Sequence, residues 1–153
     1  MAYIDEVITI QASAQTVWQV LTQFEAYPQW HPFISQLQQA PESTETDQQF
    51  SWMVTQQEQP QLFDVTIEQW NPSERLSLIQ RKADSTAEQS IREDYAIQVL
   101  TEESCELKRR IEFVGFSWMF GLFLKLFYQR QNIDEEDVLE AIQKRAEAFP
   151  ENS

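Results

Sequence analysis

A chain of 153 residues is long enough to bury about 68–70% of the surface it exposes when unfolded, and a 42% hydrophobic composition with 10 Phe, 5 Trp and 4 Tyr supplies a core. Its 25 acidic residues against 11 basic ones, a formal charge of −14, repel phosphate backbones and anionic headgroups and exclude nucleic acid as an expected partner. With Cys105 alone, neither an intrachain disulfide nor a thiolate zinc site can form; the opening MAYIDEVITIQ also lacks a signal peptide's basic and apolar regions, so the expected location is cytoplasmic.

No repeat or Gly/Ser-rich linker divides the sequence, so residues 1–149 are read as a single domain and 150–153 as a short tail. The run Ile4 to Ile10 is short, rich in β-branched residues and predicts a strand. It stops at Ala12-Ser13, where Ser13 is placed to cap a helix. In that helix Val17, Val20, Leu21 and Phe24 recur at i, i+3, i+4 and i+7, and Trp18 widens the apolar stripe. Pro28 and Pro32 then forbid a long continuation, so FEAYPQWHPFI reads as a bent aromatic connector or one short helical turn.

From Ile34 to Phe113 the period changes from 3.6 to 2. Phe50, Trp52 and Val54 alternate with Ser51, Met53 and Thr55, while Phe63, Val65 and Ile67 alternate with Asp64, Thr66 and Glu68. QEQP and Asn71-Pro72-Ser73-Glu74 are expected turns, Leu76 to Gln80 a further strand, and Ile91 to Leu100 with Cys105 to Phe113 a closing hairpin. Strands on short turns make an antiparallel meander. After Gly115 the pattern is helical again: apolar nearly all round from Trp118 through Tyr128, then Asp134 to Asp137, then Leu139, Ile142, Ala146 and Phe149 at spacings of 3 and 4. The apolar run, broken by Lys125, falls short of the roughly 20 residues of a membrane span, so no stable insertion is expected.

In this order, ITIQASAQTVWQVLTQFEAYPQWHPFI, IEQWNPSERLSLI and GFSWMFGLFLKLF resemble the polyketide cyclase/dehydrase and lipid transport family of the START-like, or Bet v 1-like (SRPBCC), superfamily. His31 stands where that family usually has Asn, and Gln23 where it usually has Asp. The resemblance implies an α+β helix-grip fold: a curved antiparallel sheet of about seven strands around a long C-terminal helix, with two short helices after the first strand. It also implies a hydrophobic cavity between sheet and helix.

The last two predicted strands carry one charge in each apolar stripe. Ile91, Glu93, Tyr95, Ile97 and Val99 share one face; Cys105, Leu107, Arg109, Ile111 and Phe113 share one face of the partner. A three-residue loop, Thr101 to Glu103, sets Tyr95 opposite Arg109 and Glu93 diagonal to it. The trio is then either the polar end of an apolar pocket or an internal ion pair, unless a bulge returns both charges to solvent. His31, the only histidine, lacks the companions of a metal or catalytic site, and no glycine loop, HExxH or GxSxG motif occurs, so neither metal nor cofactor is expected.

The expected ligand-binding set is Glu93, Tyr95 and Arg109 at the polar end, Trp52 and Phe63 from the sheet, Tyr27, Trp30 and Phe33 from the connector, and Phe120, Phe123, Leu124 and Phe127 from the last helix. The leading functional expectation is binding or transport of a small hydrophobic molecule, such as a lipid, isoprenoid or polycyclic polyketide-like compound. Two alternatives stand beside it: a cyclase or dehydratase using Glu93, Tyr95, Arg109 or His31, and an interaction or homodimer module through Trp118 to Tyr128.

Overall fold

The computed structural model describes residues 2–39, 41, 43, 45–56, 59–83, 89–115 and 138–149. It opens with strand β1, Ala2–Ile10, whose period-2 alternation turns Ile4, Glu6, Ile8 and Ile10 inward and leaves Tyr3, Asp5, Val7 and Thr9 exposed. Helix α1, Ala14–Thr22, follows at once because Ser13 caps it: the Ser13 Oγ accepts from the Thr16 amide at 3.1 Å. Ala14, Val17, Trp18, Val20 and Leu21 form its buried face. Loss of the cap in Ser13→Ala is expected to cost about 1 kcal/mol, read as a lower midpoint in denaturant with an unchanged slope.

The connector resolves into a 3-10 turn, Phe24–Ala26, and one helical turn, α2, Tyr27–Trp30, with Pro28 in its opening residues where no amide donor is needed. His31 ends α2 in extended geometry, as a residue before Pro32 must.

The strands that follow are β2 (Ile34–Gln39), β3 (Gln49–Gln56), β4 (Gln59–Asn71), β5 (Arg75–Lys82), β6 (Ser90–Thr101) and β7 (Ser104–Val114). All pairings are antiparallel, in the order β1-β7-β6-β5-β4-β3-β2. The sheet is curved and open, with shifts of register in the β2–β3, β4–β5 and β6–β7 pairs that bend it locally. Its first two strands lie at opposite edges, so α1 and α2 cross from one edge to the other.

Two turns differ from expectation. Gln59 and Pro60, expected in the QEQP turn, belong to β4 and pair with Gln56 and Thr55, because a proline is tolerated in the opening residues of a strand. In the β6–β7 hairpin Thr101 pairs with Ser104, so the loop is Glu102-Glu103 and the surplus residue is a bulge at Leu100. Moving one residue from loop to bulge preserves the register beyond it, and Tyr95 faces Arg109 as expected.

Helix α3, Val138–Glu147, buries Val138, Leu139, Ala141, Ile142 and Ala146 against β1 and α1. The Gln143 side chain donates to the Thr9 carbonyl at 2.8 Å, and the Gln11 amide donates to Glu147 at 2.9 Å. These bonds lock α3 to the end of the first strand. The apolar half of the expected last helix, with Phe120, Phe123, Leu124 and Phe127, and the acidic run Asp134 to Asp137 lie outside the described residues.

Candidate functional site

The inner face of the sheet is apolar except where four neighbouring strands each contribute one or two polar groups. On β7 Arg109 stands between Leu107 and Ile111; on β6 Glu93 and Tyr95 project to the same side. Glu93 and Arg109 are each 8% exposed, which excludes a bulge that returns them to water. The expected trio is brought together: the Tyr95 hydroxyl donates to Glu93 Oε2 at 2.5 Å, Arg109 Nε donates to the same oxygen at 3.2 Å, and the guanidinium lies 5.9 Å from the Tyr95 ring centre.

Two further members belong to this group. Glu6, paired across the ladder with Arg109, accepts from Arg109 Nη1 at 3.3 Å. Gln80, buried on β5, donates to Glu93 Oε1 at 2.5 Å and accepts the Trp52 indole N–H at 3.1 Å. The sequence carries a signal for both: Glu6 interrupts Ile4, Ile8 and Ile10 just as Glu93 and Arg109 interrupt their own stripes, and Gln80 ends the alternation Leu76, Leu78. Only the strand order tells that these stripes converge.

Burial alone would raise the Glu93 pKa. The Arg109 charge and the Tyr95 hydrogen bond outweigh that cost and hold it below the ordinary carboxylate value, so Glu93 is an ionised acceptor with both oxygens engaged. The Tyr95 phenol is pushed well above its ordinary value by burial and by the adjacent Glu93 charge. The cluster therefore contains a buried ion pair whose carboxylate is held by three hydrogen bonds, the arrangement that makes buried charge tolerable whether or not a ligand adjoins it.

Over it lies a layer of rings. Tyr27 stacks on Trp52 (5.3 Å, 23°) and on His31 (5.7 Å, 14°), and its hydroxyl donates to the Leu21 carbonyl at 2.5 Å. Burial, then the Glu93 charge, drive the Tyr27 phenol well above its ordinary value. Trp30 and Phe33 flank His31, partly buried against the core; Phe63 is likewise half-buried, opposite Trp52. His31 Nδ1 accepts the Phe33 and Ile34 amides at 3.1 and 3.2 Å, and burial lowers its pKa to about 3. The imidazole is neutral, with its proton on Nε2.

Eight residues of the expected set are thus placed: Glu93, Tyr95, Arg109, Trp52 and Tyr27 are buried in or beside the cluster, and Trp30, Phe33 and Phe63 are partly buried at its margin; His31, the other candidate, stacks on Tyr27. Among the described residues no group of three or more His, Cys, Asp or Glu side chains converges as metal ligands do. No helix among them is long and apolar enough to cross a membrane.

A family model described as "Polyketide cyclase / dehydrase and lipid transport" matches residues 1–147. Among solved structures, the chain is similar to a START superfamily protein from Mycobacterium smegmatis, with TM-score 0.71 and 19% identity over 98% of this chain and 100% of that one. It is also similar to the ZhuI aromatase/cyclase from Streptomyces sp. R1128, with TM-score 0.73 and 16% identity over 95% of this chain and 93% of that one. A third, the di-domain ARO/CYC BexL from the BE-7585A biosynthetic pathway, gives TM-score 0.69 and 13% identity, covering 96% of this chain and 47% of that one. No curated protein matches the sequence.

Proposed function

The chain belongs to the polyketide cyclase/dehydrase and lipid transport family, with the START-like helix-grip fold of a hydrophobic-ligand-binding protein, and from this we propose that it holds a small uncharged lipid, isoprenoid or polycyclic molecule without transforming it. The ligand would occupy an apolar hollow between the sheet and the C-terminal segment. Trp52, Phe63, Tyr27, Trp30 and Phe33 would form one wall and the Glu93, Tyr95, Arg109 group its polar end. Phe120, Phe123, Leu124 and Phe127 are assigned to the opposite wall from the sequence alone.

One observation carries the choice of binder over catalyst. General acid–base catalysis works best with groups that titrate near the operating pH. Here each candidate is driven the other way, Glu93 and His31 down and Tyr27 and Tyr95 up, and each makes hydrogen bonds within the protein. Such groups resist proton transfer at neutrality and suit a fixed lining. The cyclase reading requires instead that Glu93→Gln and Arg109→Ala abolish turnover of a polyketide-like substrate while leaving apolar binding intact.

Titration of the protein with neutral naphthalene fluorophores is expected to saturate at one molecule per chain, with competition by neutral isoprenoid and polycyclic compounds. Unsaturable, non-competed fluorescence across such a panel overturns the proposal.

A further inference from the structure

The side chain that most differs from a plain core residue is His31. Its Nδ1 is occupied by two backbone amides, which leaves the Nε2–H as an oriented donor on a neutral ring. Among the described residues no acceptor meets that N–H. The ring lies flat against Tyr27, with Trp30 and Phe33 at its sides, on the side of the sheet that carries Glu93 and Arg109, whose charges both reach it. Glu93, by contrast, already accepts bonds from Gln80, Tyr95 and Arg109.

We propose that His31 Nε2–H is the ligand-orienting donor of the site, selecting hydrophobic molecules that carry an uncharged oxygen acceptor, a ketone above all, set among the rings of the connector. This rests on the binding function proposed above and adds the ligand's polar group to it. The physical reason is an asymmetry: a site with a fixed, partly buried donor loses a hydrogen bond when the ligand lacks an acceptor, whereas a purely apolar wall is indifferent. Because the imidazole stays uncharged, it rewards a carbonyl or ether oxygen without the ionic attraction that would favour a carboxylate.

The test compares two matched probes, 6-propionyl-2-(dimethylamino)naphthalene and its 6-propyl analogue, which lacks the ketone, on the parent protein and on His31→Asn. Asparagine can still accept the amide two residues on through its side-chain carbonyl, so the turn is kept while the Nε2–H is lost; its own NH2 then falls where the imidazole has a carbon, one bond short of the Nε2 position. The parent is expected to bind the ketone about three- to tenfold more tightly than the propyl compound, and His31→Asn to bring that ratio to about one, the ratio being the readout because loss of the ring alters contact with both probes alike. Nitrogen-15 spectra of the parent provide a reading independent of any variant: the Nε2–H resonance should move downfield with the ketone and not with the propyl analogue.

If both probes bind and neither the preference nor the resonance responds to the ketone, the donor is used within the protein and the inference is wrong, although binding stands. If neither probe binds the parent saturably, the binding function itself fails and the His31 assignment falls with it.

Discussion

Arg109→Met is expected to destabilise the protein by about 3–5 kcal/mol, because it removes the buried positive charge that two carboxylates share on the inner face of the sheet. The Arg109 and Glu93 side chains are 9% and 10% exposed, so water cannot take the place of the lost partner. For a chain of this length such a loss corresponds to a fall in melting temperature of roughly 6–20 °C, measurable by circular dichroism. Glu93→Gln should cost less, since a neutral amide still accepts from Tyr95, and the double variant Glu93→Gln/Arg109→Met should recover part of the Arg109→Met loss because one of the two uncompensated negative charges is gone. A loss below about 1 kcal/mol for Arg109→Met would show that the ion pair is solvated and that the polar end of the site is open to water.

Acid should weaken the fold in two separable windows. His31 has a folded pKa of about 3 against an ordinary 6.5, so between those values the unfolded chain binds a proton that the native protein refuses. Stability is then fully present above pH 6.5 and falls as the pH drops, by up to about 1.4 kcal/mol per unit, or on the order of 2 kcal/mol by pH 5. The Glu93 contribution has the same sign and a lower window: its folded pKa lies below the ordinary 4.5, so its stabilisation holds above that value and disappears as pH falls through the folded one.

His31→Asn removes the first window and leaves the second. Chemical unfolding from pH 7 to pH 3 should therefore show a parent curve that falls below pH 6.5 and a variant curve that stays level until the carboxylates protonate. Relief of repulsion among the many surface carboxylates acts equally on both proteins and cancels in the difference. Parallel curves from pH 7 to pH 5 would mean that His31 takes up its proton in the native state without penalty.

Local chemistry made much of the architecture legible. Ser13 before Val17, Val20 and Leu21 announces a capped amphipathic helix, and alternation through Phe50 to Val54 and Phe63 to Ile67 announces half-dry strands, since each signal lies within a few residues of chain. The juxtaposition of Tyr95 and Arg109 was also within reach, because a tight hairpin couples its two stripes through a single turn. A two-residue loop with a bulge at Leu100 stands in place of the expected three-residue loop and leaves the register of the inner face intact.

Glu6 and Gln80 were visible as interruptions of apolar stripes but could not be joined to Glu93 without the strand order. Glu6 reaches Arg109 only because β1 closes against β7 from the far end of the sequence, and Gln80 reaches Glu93 only because β5 lies beside β6 on that face. His31 differs again: a histidine between two prolines titrates near 6.5 unless burial intervenes, and burial belongs to the folded assembly.

The sequence by itself determined the element types, the meander, the family and the apolar character of the inner face, because these depend on periodicity and on residues close in the chain. Only the tertiary structure decided that Glu6, Gln80, Glu93, Tyr95 and Arg109 form one network and that the His31 ring is neutral above it. Those outcomes depend on which distant strands become neighbours and on how much water their contact excludes, and neither quantity is written in any short stretch of residues.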